Sequence, residues 1–276
     1  MTAPPLDPDQ LARLVADRDL ELSRFTAEEL AAVGPSDGPL LEPAGWYAGL
    51  DETSRDTARI AALRSLVARG FLVPTPPAAA DDTGPGYEPS GDLASVLRLR
   101  ALAQGVVRIE HHAPAGEVRR HAWLLRPGLL LDERGNRDGY HAFVLRTERS
   151  LAVDVMTRLD PEGEAERVGV SEAPSRPSDT GDDATHDAGE EHDRFAELSE
   201  LAAEATSWVR VLSSWGGDPP RVLTTQLALT PAGMVGLAID VDEDGRPAPS
   251  AALLAAGDAL HTVLACLLPP VTEELS

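Results

Sequence analysis

His111-His112 and His121, with Glu110 and Glu117 close by, are the side chains here whose types suit a metal site, since imidazole and carboxylate together can hold zinc. They fall on neighbouring predicted strands. Adjacent residues of a strand point to opposite faces, so at most one of His111 and His112 can share a ligand face with His121. Asp240-Val241-Asp242-Glu243-Asp244-Gly245 opens as a calcium loop does, with alternate carboxylates and then a glycine. Its later part does not follow. Ala251 stands where a bidentate Glu is required, Pro247 and Pro249 interrupt the loop, and a strand precedes it where a helix belongs. A strand-end turn is the better reading. Gly84-Pro85-Gly86 carries only the start of a dinucleotide fingerprint, follows no strand, and puts proline where an amide must face phosphate. His186 and His192 lie in an acidic stretch without apolar periodicity, which gives no rigid frame for ligands. With 46 Asp and Glu in the chain, a carboxylate pair says almost nothing about catalysis. No Gly-x-Ser-x-Gly elbow is present. No residue is therefore assigned as catalytic, cofactor-binding or metal-binding, and no cofactor is expected.

All 24 basic residues are Arg; the sequence has no lysine. A phosphate loop of the Walker type, a kinase strand and Schiff-base or pyridoxal chemistry each need a Lys amine, so those classes are excluded. Cys266 is the one cysteine, which rules out an intrachain disulfide and a cysteine zinc site. It sits in the apolar run Val263-Leu264-Ala265-Cys266-Leu267-Leu268 and reads as a small buried core residue. The formal charge is −22, a field that repels phosphate backbones and anionic lipid, so neither nucleic acid nor membrane is expected as a partner. Met1-Thr2-Ala3-Pro4-Pro5 lacks a basic region followed by an apolar one, and no window reaches the ~18 apolar residues of a membrane span. A cytoplasmic location follows as the expectation.

The stretch that must position the histidines is Val106 to Met156. Short alternating runs are separated by turns at Pro114-Ala115-Gly116, Arg126-Pro127-Gly128 and Asn136 to Gly139, the pattern of an antiparallel sheet. The expected strands are Val106 to Ile109, Glu117 to Leu125, Leu129 to Leu131, Tyr140 to Arg146 and Leu151 to Met156.

Before the sheet, Leu11, Leu14 and Val15 are spaced for a helix face, and Leu20 to Leu22 read as a short strand or loop. Thr26-Ala27-Glu28-Glu29 matches a capping box ahead of Leu30 and Val33. Asp51 or Ser54 caps a longer helix through Arg69, with Ile60, Leu63, Leu66 and Val67 as its face and Gly70 as its stop. Asp92 caps a further helix with Leu93, Val96, Leu97 and Ala101 inside. After the sheet, residues 171–194 hold eight acids against two Arg, too little apolar surface to offset ordering, so a disordered loop is expected. A helix over Phe195 to Leu212, a hairpin of Val222 to Leu229 with Met234 to Val241, and a last helix from about Ser250 complete the chain.

The expected fold class is α+β: an antiparallel β-sheet flanked by helices, with an N-terminal helical segment and an acidic disordered insertion. The divisions are an N-terminal helical, winged-helix-like segment over 1–73, a Pro/Gly-rich linker over 74–91, helix plus sheet over 92–159, the acidic loop over 160–194, and helix, hairpin and C-terminal helix over 195–270. Leu63-Arg64-Ser65-Leu66-Val67-Ala68-Arg69-Gly70-Phe71-Leu72, the helix from Leu93 to Ala101, the runs Tyr140 to Arg146 and Leu151 to Met156, and the closing hairpin and helix together resemble the EspG-type chaperones of actinobacterial type VII secretion. The resemblance covers most of the chain at the level of layout. It implies a pseudo-twofold mixed fold, no catalytic motif, and a protein partner, the tips of helical secretion-substrate pairs that the chaperone keeps soluble. Two other readings remain open: a winged-helix regulator, with the Arg-bearing helix before Gly70 entering DNA, and an enzyme gathering His111 or His121 with carboxylates.

Overall fold

The computed structural model describes residues 8–34, 47, 49–75, 86–114, 116–136, 138–163, 188–215, 221–241 and 247–268. Its helices are α1 (Pro8–Asp17), α2 (Ala27–Val33), α3 (Glu52–Ala68), α4 (Gly91–Leu102), α5 (Glu148–Leu159), α6 (Ala188–Ala203) and α7 (Ala256–Leu267). The strands are β1 (Leu20–Glu21), β2 (Phe25–Thr26), β3 (Leu72–Thr75), β4 (Gly86–Pro89), β5 (Gly105–Ala113), β6 (Gly116–Arg126), β7 (Leu129–Gly135), β8 (Tyr140–Arg146), β9 (Ser207–Trp215), β10 (Arg221–Thr230), β11 (Gly233–Val241) and β12 (Pro247–Leu254). The class is α+β, with antiparallel sheet and flanking helices. The chain divides into two units, Met1–Gln104 with Arg120–Thr147, and Gly105–Arg119 with Glu148–Ser276.

In the first unit the strand order is β1-β8-β7-β6, with β2 also on β8. Leu131 lies opposite Leu145 and Glu133 opposite Phe143, so alternation puts Leu129, Leu131, Glu133, His141 and Phe143 on one face and Leu130, Asp132, Val144 and Arg146 on the other. The capping box forms as its residues require: Thr26 Oγ1 accepts from the Glu29 amide at 3.2 Å, and Glu29 Oε2 accepts from the Thr26 amide at 3.0 Å. Glu29 also reaches out of its own helix. Its carboxylate accepts from Ser65 Oγ at 2.7 Å and from Arg69 Nη1 at 2.8 Å, while the Arg69 guanidinium lies 4.8 Å from the Phe71 ring centroid. Helix α2 is thereby fastened to the end of α3.

Helix α3 starts at Asp51, whose carboxylate accepts from the Ser54 amide at 2.8 Å. Its expected face is corrected: Ala62 and Leu66 are buried, whereas Ile60 is 51% exposed. Beyond Gly70, at φ 77°, the chain enters β3, which pairs with β4. Part of the Pro- and Gly-rich stretch thus becomes strand. Gly86 is needed there, because a Cβ would come within 2.7 Å of Thr75 Oγ1. Helix α4 also departs from expectation at its start. Asp92 accepts from the Ser23 amide at 2.8 Å and from Ser23 Oγ at 2.7 Å, tying α4 to the segment after β1 in place of capping its own helix. Leu93, Val96 and Leu99 are its buried residues, and Ala101 is exposed.

In the second unit the strands run β5-β9-β10-β11-β12. Three expectations are corrected here. Leu151 to Met156 belongs to helix α5: Leu151, Ala152, Val155 and Leu159 are buried on one helical stripe, and Val153, which a strand would have buried with its alternate neighbours, is 46% exposed. The helix expected through Leu212 ends at Ala203. Val209 and Val211 are buried alternately in β9, and their β-branched side chains favour the pleated surface over a helix turn. Residues from Pro247 to Leu254 form β12 before α7 begins; both prolines sit on the outer strand, where a missing amide hydrogen costs least. Of the acidic stretch, residues 164–187 lie outside the described residues, and α6 starts at Ala188, seven residues ahead of Phe195.

Candidate functional site

Among the described residues the densest gathering of ionisable groups lies on β7 and its neighbours in the first unit. Asp132 and Glu133 are both fully buried, and as consecutive strand residues they point to opposite faces. On one face Glu133 Oε1 pairs with Arg100 Nη2 at 2.5 Å and with His141 Nδ1 at 2.7 Å, and Glu133 Oε2 accepts from Trp123 Nε1 at 2.9 Å. Burial would push the Glu133 carboxyl up. The Arg100 guanidinium, the hydrogen bond from His141 and the charges of His141 and His121 outweigh it and hold the carboxyl at about 2. An ionised carboxylate only accepts, so His141 Nδ1 carries the hydrogen in this pair. The Arg100 guanidinium also stacks 5.3 Å from the Trp123 ring and 5.1 Å from that of Phe143.

On the opposite face Asp132 Oδ2 is approached by Arg134 Nε at 2.9 Å, Arg146 Nη1 at 3.4 Å and Arg120 Nη1 at 3.7 Å, and Arg146 also pairs with Asp19. Both carboxylates are thus committed to protein donors. Chemically the arrangement clamps α4 and the strand ends to the sheet, since removing either acid would leave Arg side chains buried without a counter-charge. Sequence reading ended this strand at Leu131 and missed the pair. The signal available was an Asp-Glu dipeptide directly after Leu129-Leu130-Leu131, acids continuing a strand with no turn residue before them.

His111 and His112 point to opposite faces of β5. His111 is buried on β5 opposite Val209, and His112 is exposed opposite Trp208, with the two rings stacked at 5.4 Å. His121 belongs to the first unit and acts on Glu133. Glu110 pairs with Arg108 at 2.5 Å, and Glu117 with Arg119 at 2.8 Å. No group of three or more His, Cys, Asp or Glu is placed to hold a metal ion among the described residues. Gly84, Pro85 and His186 lie outside those residues, as do 242–246 of the acidic segment expected as a strand-end turn. Cys266 is buried, and burial pushes its thiol up despite the contact with Thr225 Oγ1 at 3.4 Å. Among the described residues no helix is long and apolar enough to cross a membrane.

No protein-family model matches this chain, and no curated protein matches it. Solved structures do match. One is a structure of the Mycobacterium tuberculosis type VII secretion system chaperone EspG5 in complex with a PE25-PPE41 dimer, which aligns over 91% of this chain and 97% of the matched chain. The fold is shared. The TM-score is 0.50 at 12% identity, so the likeness lies in the path of the backbone and transfers no residue.

Proposed function

We propose that this chain is a cytoplasmic, non-catalytic protein-binding protein of chaperone type that holds a helical secretion-substrate pair of a type VII system in soluble form. The observation that carries the reading is the shared fold over nearly the whole length of both chains, with a secretion chaperone as the matched protein. The commitment of Glu133 and Asp132 to internal ion pairs supports it from the other side, because the most concentrated group of charges among the described residues serves packing. The reading assigns no catalytic, cofactor-binding or metal-binding residue.

The test is co-expression with a helical substrate pair taken from the type VII locus of the same genome. The expected outcome is a stoichiometric complex on size-exclusion chromatography and a pair that stays in solution. A pair that elutes alone and aggregates to the same extent with and without this chain overturns the reading.

A further inference from the structure

The second unit's sheet ends at β12, and among the described residues no strand pairs with it on its outer side. An open edge presents a row of unpaired N–H and C=O groups to any extended chain, another copy of the same protein included. In the first unit the strand β8 is protected from this by the chain itself: Leu20 and Glu21 of β1 pair with Leu145 and Val144, and Phe25 and Thr26 of β2 pair with His141 and Tyr140. Charged side chains are another common guard, and β12 has none. Its residues are Pro247-Ala248-Pro249-Ser250-Ala251-Ala252-Leu253-Leu254.

The hairpin before β12 decides which of its backbone groups face outward. Strands β10 and β11 are joined by Pro231 and Ala232 alone, which makes Thr230 and Gly233 a hydrogen-bonded pair. Along a strand the N–H and C=O of one residue point to one neighbour and those of the next residue to the other. From Gly233 onward the odd-numbered residues of β11 therefore bond to β10, and Met234, Gly236, Ala238 and Asp240 bond to β12. Their partners there are Leu254, Ala252, Ser250 and Ala248. Pro247, Pro249, Ala251 and Leu253 are left with their backbone groups on the outer edge. Both prolines thus stand where an amide hydrogen would point away from the sheet, and neither removes a bond from within it. The ring carbon on each proline nitrogen fills the place of that hydrogen, so the first half of the edge offers no donor and holds an approaching strand off. Only the amides of Ala251 and Leu253 remain.

We propose that Pro247 and Pro249 guard the outer edge of β12 against antiparallel pairing with the β12 of a second copy of this chain. The formal charge of −22 also opposes self-association, yet charges more than about 10 Å apart are screened at ~0.1 M salt, whereas strands pair by contact. The guard is part of the covalent structure of the strand and acts at any ionic strength. It goes beyond the protein-binding reading above and does not rest on it.

The experiment replaces both prolines by Thr, a residue suited to strands, in the whole protein and follows self-association by sedimentation velocity at ~0.1 M salt. Pro247→Thr with Pro249→Thr is expected to associate at least about tenfold more tightly than wild type, because the restored N–H groups find carbonyl partners on the second copy. Pro127→Thr, in the exposed turn between β6 and β7, leaves association as it is in the wild type. Hydrogen exchange locates the contact. In the wild type the amides of Ala251 and Leu253 exchange at least about tenfold faster than those of Ser250 and Ala252, and in the associated variant they become protected. Pro249→Thr alone replaces the double variant if the latter unfolds, and the wild-type exchange pattern is read in either case. Four results each overturn the proposal: association of the Thr variants no tighter than wild type, an equal gain with Pro127→Thr, association without protection of Ala251 and Leu253, or slow exchange of those two amides in the wild type.

Discussion

Glu133 gives the first unit its sensitivity to acid. Its carboxyl, ordinarily at 4.5, lies at about 2 in the folded protein, so the unfolded chain binds this proton more readily than the folded one. The stabilisation is therefore complete above about 4.5 and is lost as pH falls through about 2. A shift from 4.5 to about 2 corresponds to a contribution on the order of 3 kcal/mol at neutral pH. Glu133→Gln keeps the shape and removes the charge, leaving the Arg100 guanidinium, with a side chain 11% exposed, beside a neutral amide. Urea unfolding followed at a series of pH values should show the variant less stable near neutrality and its stability flatter than wild type between about 4.5 and 2. A variant that unfolds with the wild-type pH profile would mean that the ion pair contributes nothing. Cys266 makes the opposite kind of residue-scale claim. Burial with the thiol pushed up leaves little thiolate at neutral pH, so a maleimide reagent should leave the native protein unlabelled and modify it once denaturant is added. Rapid labelling of the native protein would contradict the placement of Cys266 on the face of α7 that packs on Thr225 of β10.

Helix α5 is the element where sequence and structure part most plainly, and the difference can be measured. In a strand Leu151, Val153 and Val155 would share one buried face; in α5 Val155 is 2% exposed and Val153 46%. Val153→Asp should therefore change stability by no more than about 0.5 kcal/mol, while Val155→Asp should destabilise by several kcal/mol or prevent folding. Equal damage from both in thermal unfolding would restore the strand. The reason for the ambiguity is general: Leu-Ala-Val-Asp-Val-Met satisfies a period of two and a period near four equally well over six residues. The same ambiguity moved Trp208 and Leu212 from an expected helix into β9, and Ser250 to Leu254 from an expected helix into β12. Elements whose signals are local and chemical were legible. The Thr26 to Glu29 capping box, the Gly70 stop, the turns at Pro127-Gly128 and Asn136 to Gly139, and the β10-β11 hairpin all stand where their residues place them. The ionic cluster was not legible, because Glu133 meets Arg100 and Arg146 meets Asp19 only after distant segments have come together. No spacing in the sequence encodes those meetings.

At the scale of the whole molecule the governing quantity is charge. With 46 acids against 24 Arg, the long-range field opposes any polyanion, and binding to a nucleic acid would require a local basic face strong enough to reverse it. The place where such a face was conceivable is α3, which is followed by the paired strands β3 and β4 in a layout that suggests a recognition helix with its wing. The side chains argue against that use. Arg55 donates to the neutral Leu50 carbonyl at 2.9 Å, Arg69 is held by Glu29 at 2.8 Å, and Asp51 at the N-cap with Glu52 and Asp56 in the first turns are exposed beside Arg55, Arg59 and Arg64. Arg55, Arg59 and Arg64 against Asp51, Glu52 and Asp56 leave no net attraction for phosphate, and releasing counterions from DNA needs several unopposed cations at once. Fluorescence anisotropy of a labelled mixed-sequence duplex at low salt should accordingly stay flat as the protein is added. Binding that weakened steeply with salt and was abolished by Arg59→Ala with Arg64→Ala would place DNA on α3, and the repulsive field of the whole chain would then have been overcome by one helix.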